Sequence, residues 1–286
     1  MNIFERSWHT ASTSYGVIRQ DKELLLFPII AGVLSVLYSL ALLFPTLISG
    51  ALEQQAGIEF GPLQFVMMFV TYLGLAFITT FSNVCVVYTT RVRLSGGDAT
   101  FFESVRFGLS RLPQILGWSL LSATVGLILH GIDSAAERSG IVGQILLSIV
   151  RAIFAAAWSI VSVFAIPAMV FHNVGPIDAI KKSTETMSRM WGESLVGNWG
   201  MGLFTFLLAI PGIAGLFGSF ALMGGESATP GVILLVASIT WLVFVALLSG
   251  VAKMVYSTAL FMYAETGVAP NGFSQEALAS AYYRKA

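Results

Sequence analysis

Few side chains in this 286-residue sequence have types and spacings that could do chemistry. There are three histidines: His9 near the start, His130 late in the third apolar stretch, and His172 at the end of the fourth. If successive stretches cross a membrane in alternating directions, His130 and His172 fall on opposite sides. They could not then share a metal ion, whose ligands must all lie within about 2–2.3 Å of it. No H-E-x-x-H, C-x-x-C or P-loop pattern occurs, and no serine sits in G-x-S-x-G. The single cysteine, Cys85, has no partner for an intrachain disulfide. The expectation is a chain without catalytic residues, metal or cofactor, and not an enzyme.

Ionisable groups within apolar stretches are functional suspects by default, because burying a charge in hydrocarbon is costly. Arg151 and Lys253 qualify. If lipid crossing runs over 152–171 and 232–252, Arg151 sits at the outer interface and Lys253 at the inner one. Both would then snorkel, stem in lipid and charge in water. The sharper alternative places Arg151 in an outward cavity, paired with Asp133 or Glu137 or accepting an anionic group. Deeper polar positions are Asn83, flanked by Thr79, Thr80 and Ser82, and Asn198 near the start of the fifth stretch. Asparagine at such depth is expected to bridge helices. Ala31, Ser35 and Ser39, and Gly212, Gly215 and Gly218, are small residues at helical spacing that allow close packing. Pro28, Pro45, Pro167 and Pro211 are candidate kinks or ends. Pro211-Gly212 is a candidate break in the fifth stretch, of the type that lines transporter substrate sites, although structural kinks without any substrate are commoner.

The elements that must position these residues follow from composition. Hydrophobic residues make up 56% of the chain and charged residues 10%, against about 25% charged in a soluble domain. Mean hydropathy is +0.82. This excludes a disordered chain, a disulfide scaffold and an ordinary soluble enzyme. The net charge of zero gives no general attraction to nucleic acid. Six apolar stretches run over Leu24–Gly50, Gly61–Thr90, Pro113–Ile132, Ile141–Phe171, Ser194–Met223 and Gly231–Ala264. A bilayer core takes about 20 helical residues. The first stretch is too long for a signal-peptide core and is read as retained. Runs such as Leu203–Ile210 are continuously apolar, whereas barrel strands alternate. The fold class is all-α: a polytopic membrane protein with six transmembrane helices as three hairpins.

Basic residues set the direction. Arg6, Arg19 and Lys22 precede the first stretch. Arg91, Arg93, Arg106 and Arg111 lie in the second connection, Lys181, Lys182 and Arg189 in the fourth, and Arg284 and Lys285 in the tail. The other three connections hold Arg138 alone, against Glu53, Glu59, Asp133, Glu137 and Glu226. Both termini are expected in the cytoplasm.

Each hairpin is preceded by an amphipathic segment. Phe4, Trp8, Ala11, Tyr15 and Ile18 form the first stripe. Gly96-Gly97 ends the preceding helix, and Thr100 and Glu103 have capping-box spacing. Phe102, Val105, Leu109 and Leu112 then share a face. Gly175-Pro176 opens the third stripe, with Ile177, Ile180, Thr184, Met187 and Trp191. A weaker version, Ser274 with Phe273, Ala277 and Ala281, closes the chain. Ser110-Arg111-Leu112 and Ser188-Arg189-Met190 occupy equivalent places, with Trp118 and Trp199 following. The reading is one integral membrane domain, 1–286, built from tandem units 1–97, 98–174 and 175–264, with an amphipathic tail 265–286. The stripes are expected to be covered by protein or lipid headgroups.

The segment Gly175-Pro176-Ile177-Asp178-Ala179-Ile180-Lys181-Lys182-Ser183 resembles the turn-and-helix of a group of poorly characterised six-helix prokaryotic membrane proteins. That group includes the membrane domain found beside glycerophosphodiester phosphodiesterases. The opening Phe4-Glu5-Arg6-Ser7-Trp8 and Arg19 to Pro28 is similar to a branch known only as a domain of unknown function. The resemblance implies the prokaryotic cytoplasmic (inner) membrane and no established activity. No phosphodiesterase domain is present, so no catalytic residue carries over.

The expected function is a non-enzymatic membrane module, a scaffold or partner-binding protein in contact with membrane lipids. It is expected to be a homo-oligomer or to bind another membrane protein. The alternative is a transporter or pore for a small or lipid-like solute.

Overall fold

The computed structural model describes residues 3–56, 62–189, 191–224, 228–273, 275 and 278, with side chains over 12–42, 65–189, 202–224, 228–273, 275 and 278. The helices are α1 (Ile3–Gln20), α2 (Glu23–Ala56), α3 (Pro62–Leu94), α4 (Phe101–Ser110), α5 (Leu112–Glu137), α6 (Ile141–Ser162), α7 (Ala165–His172), α8 (Pro176–Arg189), α9 (Trp191–Met223) and α10 (Thr229–Thr266). No strand occurs among the described residues. Six segments are long and apolar enough to cross a membrane: Glu23–Leu42, Phe65–Leu94, Leu112–Glu137, Ile141–His172, Gly202–Met223 and Thr229–Thr266. The chain is therefore a multi-pass membrane protein. It divides into two compact units, each described by itself.

The first unit comprises Met1–Leu26, Thr90–Asp98 and Arg189–Ala286. Here α1 packs along α9 and α10. Ser14, Val17 and Ile18 are its buried face, and the Tyr15 ring lies 5.0 Å from that of Phe204. The α9–α10 contact rests on small residues. A Cβ on Gly212 would stand 2.7 Å from Leu242, and one on Gly215 would strike the Ser238 hydroxyl. Contrary to the sequence expectation, Pro211 does not break the fifth span. It lies inside continuous α9. Pro211 has no N–H to give the Leu207 carbonyl. The indole N–H of Trp241 donates at 2.9 Å to the neighbouring Leu208 carbonyl, supplying a donor to the opened turn. Gly96 takes a positive φ of 86° just after α3 ends at Leu94, which glycine adopts at little cost. There Arg93 bonds both Asp21, with Nη2 at 3.2 Å, and Asp98. Phe273 and Leu278 are buried.

The second unit comprises Phe27–Thr89 and Ala99–Ser188. Tyr38 of α2 donates its hydroxyl to the Val70 carbonyl of α3 at 2.7 Å. Helix α4 begins with the expected capping box, Thr100 and Glu103 satisfying each other's backbone N–H groups. It turns Ser104 and Gly108 onto α3. A Cβ on Gly108 would meet Cys85 Sγ and the Phe81 ring at 3.1 Å, and the buried hydroxyls of Ser104 and Thr89 lie 2.6 Å apart. Helices α5 and α6 pack together, with Trp118 and Trp158 stacked at 5.5 Å.

The break lies in the fourth span, where α6 stops at Ser162 and α7 starts at Ala165. Pro167 explains it. Its ring conflicts with the Val163 carbonyl one turn earlier, while proline in the first turn of α7 is tolerated. Val163 N–H turns back to Ile160. The buried N–H of Phe164 is accepted by the Ser183 hydroxyl of α8 at 3.0 Å.

Helices form at the second and third amphipathic segments, and protein covers their apolar stripes only in part: Met187 is buried and Val105, Leu112 and Ile180 are half-buried. Phe102 is 79% exposed and Leu109 53%, while Ser104 and Gly108 are buried. On α8, Ile177 is 60% exposed, and Ala179, Ser183, Thr186 and Met187 are buried. The reason is the solvent. Lipid is as apolar as leucine, so contact between helices is gained where small residues let backbones approach. Of the first stripe, Ile18 is buried and Tyr15 half-buried. The side chains of Phe4, Trp8, Ala11, Trp191 and Trp199, and those of Ser274, Ala277 and Ala281, lie outside the described residues.

Candidate functional site

Arg151 projects from α6 toward Asp133, four residues before the end of α5, and the guanidinium Nε meets the carboxylate at 2.6 Å. Of the two acidic partners the sequence offers, the structure brings Asp133 to it. Glu137 is exposed. The side chains of Arg151 and Asp133 are 44% and 43% exposed. Where these exposed faces meet water at the membrane interface each charge retains much of its solvation, and the pair then adds only about 0–1 kcal/mol. Arg151→Ala should therefore leave thermal unfolding in detergent within about 1 kcal/mol of wild type. A larger loss would place the arginine in a buried, paired role.

Lys253 is exposed on α10. Asn83 is half-buried in α3 and, among the described residues, forms no hydrogen bond of the bridging type expected of it. The Asn198 side chain lies outside the described residues. His130 is exposed near the end of α5, and His172 is the last residue of α7. Among the described residues no three His, Cys, Asp or Glu side chains converge on a metal-sized space. Within the second unit, the ionisable candidates brought together are Arg151 and Asp133.

The polar chemistry that sequence reading missed lies at helix junctions. Ser183 and Phe164 form one such contact. Another surrounds the start of α5. Asn173, left-handed at φ 54°, ends α7, and its Oδ1 accepts from Gln114 Nε2 at 2.7 Å. Beside this bond Gly117 admits the Pro176 ring, since a Cβ there would lie 2.9 Å from Pro176 Cγ. Arg111, between α4 and α5, lays its guanidinium 4.9 Å over the Phe107 ring. That ring stacks on Tyr88 at 4.2 Å. The sequence signal available was the Gly175–Ser183 motif itself. Pro176 opens α8, and Ala179 and Ser183 are its wholly buried face.

No curated protein matches this chain. Over residues 62–272, well over half its length, it matches the family of unknown function DUF6159, and it belongs to that family.

Proposed function

We propose that the protein is a non-enzymatic membrane module that associates with itself or with another membrane protein, in the prokaryotic inner membrane, with both termini cytoplasmic. One observation carries the reading: α6, a 22-residue helix, has no buried residue. Ile145, Ile149 and Ile153 stand exposed along it, a face wide enough for a second copy. The exposed Arg151–Asp133 pair supports a structural rather than a catalytic reading of the polar positions. In this reading the helices form three hairpins, each preceded by an amphipathic helix on the cytoplasmic side. The basic residues of the second and fourth connections support the orientation. The likeness to the membrane domain beside glycerophosphodiester phosphodiesterases rests on the Gly175–Ser183 segment.

Two measurements test the proposal. In a Cys85→Ser background, Ile149→Cys should form a disulfide between copies in the membrane. Monomers alone, by cross-linking and native mass spectrometry, would refute self-association. A reporter fused after Ala286 should behave as cytoplasmic, and exported behaviour would overturn the orientation.

A second reading is a transporter for a small or lipid-like solute. The interruption at Val163–Phe164 favours it, since broken helices line solute sites. Solute uptake by proteoliposomes would move the assignment there.

A further inference from the structure

Helices α4 and α8 of the second unit meet their surroundings in the same register. On α4, Phe102, Glu103, Arg106 and Leu109 are exposed. On α8 the corresponding positions hold Ile177, Asp178, Lys181 and Thr184, again all exposed. The positions that turn inward also correspond, Ser104 and Gly108 on α4 and Ala179 and Ser183 on α8. Successive helical residues are rotated by about 100°, so the outward order is a gradient around the helix. With Phe102 as zero, Leu109 lies at about −20°, Arg106 at about 40°, and Ser110 and Glu103 at about 80–100°. The base therefore stands between an apolar edge and a polar, acidic one. On α8, Lys181 stands in the same way between Ile177 and the acidic pair Asp178 and Glu185. Thr184, where α4 has Leu109, makes the α8 edge the less apolar one.

The chain path says what this gradient faces. Helix α4 joins the crossing segment that ends at Leu94 to the one that starts at Leu112, so it lies at a membrane surface. Two crossing segments, Leu112–Glu137 and Ile141–His172, separate α4 from α8, which returns α8 to the same surface. A bilayer surface presents acyl chains, then phosphates, then water, and the two helices present an apolar edge, then a base, then acids. We propose that α4 and α8 are matched interfacial anchors, with Phe102, Leu109 and Ile177 in the acyl boundary and Arg106 and Lys181 on the phosphates of anionic phospholipids. Lys181 is free to reach them, because its pair with Asp178 at 3.2 Å is between side chains 67% and 62% exposed and holds it only weakly. An anionic headgroup is preferred to phosphatidylcholine, which brings a cation of its own toward the guanidinium.

The test uses the full chain, in a Cys85→Ser background, in vesicles of phosphatidylcholine and phosphatidylglycerol. Nitroxide labels go on Phe102→Cys, Ser110→Cys, Ile177→Cys and Glu185→Cys, one at a time. At 102 and 177, collision with oxygen, which concentrates in lipid, should exceed collision with a water-soluble nickel chelate. At 110 and 185 the order should reverse. Labels at 102 and 177 that meet the chelate freely would put this face in water, and labels there shielded from both reagents would mean that protein covers it. Either result overturns the proposal. Lipid choice is read by native mass spectrometry of the delipidated full chain titrated with each lipid. Wild type should prefer phosphatidylglycerol to phosphatidylcholine by about fivefold for each base near the surface. Arg106→Gln and Lys181→Gln should each remove about that factor and leave phosphatidylcholine binding unchanged, a selective result that misfolding would not give. Equal binding of the two lipids by wild type would overturn the anionic headgroup as the ligand, as would an undiminished preference in the folded double variant.

Discussion

Arg93→Ala should destabilise the protein by about 3 kcal/mol, the lower end of the cost of breaking a buried ion pair. Asp21 is 4% exposed, and its carboxylate oxygen lies 3.2 Å from Arg93 Nη2. Without the guanidinium that charge is left in a site closed to water. Arg93 is itself 26% exposed, which keeps the figure from rising further. Asp98 on the other side of the arginine is 79% exposed, so Asp98→Ala should cost at most about 1 kcal/mol. Denaturant titration in detergent compares the two. Equal losses would show that Asp21 does not depend on the pair.

Ser183→Ala should cost about 1–3 kcal/mol, the penalty of a buried N–H that has lost its acceptor. The group stranded is Phe164 N–H, freed where α6 gives way to α7. Hydrogen exchange gives the sharper readout. The Phe164 amide should exchange faster in the variant, with amides of the α9–α10 pair unchanged. Ser188→Ala is the control, because its exposed hydroxyl bonds, among the described residues, only the Glu185 carbonyl one turn back. An unaltered Phe164 exchange rate would show that Ser183 is not what holds the break.

Fold class and the position of each membrane-crossing segment were readable from composition and run length, because hydrocarbon requires about 20 apolar residues and tolerates few charges. Thr100 and Glu103 named the start of α4, since capping is local chemistry. What could not be read was which face each short helix packs. A stripe such as Phe102 and Leu109 marks the inner face when water is the solvent. Here Ser104 and Gly108 take that role, and lipid makes the bulky residues outward-facing at no cost. The prolines show a similar limit. Pro167 interrupts its span and Pro211 does not. The difference lies in what surrounds each turn, a serine on α8 in one case and a tryptophan on α10 in the other. Those partners are 16 and 30 residues away in sequence, beyond any local pattern. The candidate site was legible only as a pair of charges, because whether Arg151 met Asp133 or Glu137 depends on how α5 and α6 rotate against each other.

The Trp241–Leu208 bond beside Pro211 has a consequence for how the chain enters the membrane. Helix α9 is synthesised first. Until Trp241 has been made and inserted, the turn beside Pro211 lacks the added donor that reaches the Leu208 carbonyl. A missing hydrogen bond in hydrocarbon costs several kcal/mol, while water or the insertion channel can supply one. Lateral release of α9 is therefore favoured only once α10 stands beside it. The two are then expected to leave the channel together, with the Gly212 and Gly215 contacts with α10 forming at the same step.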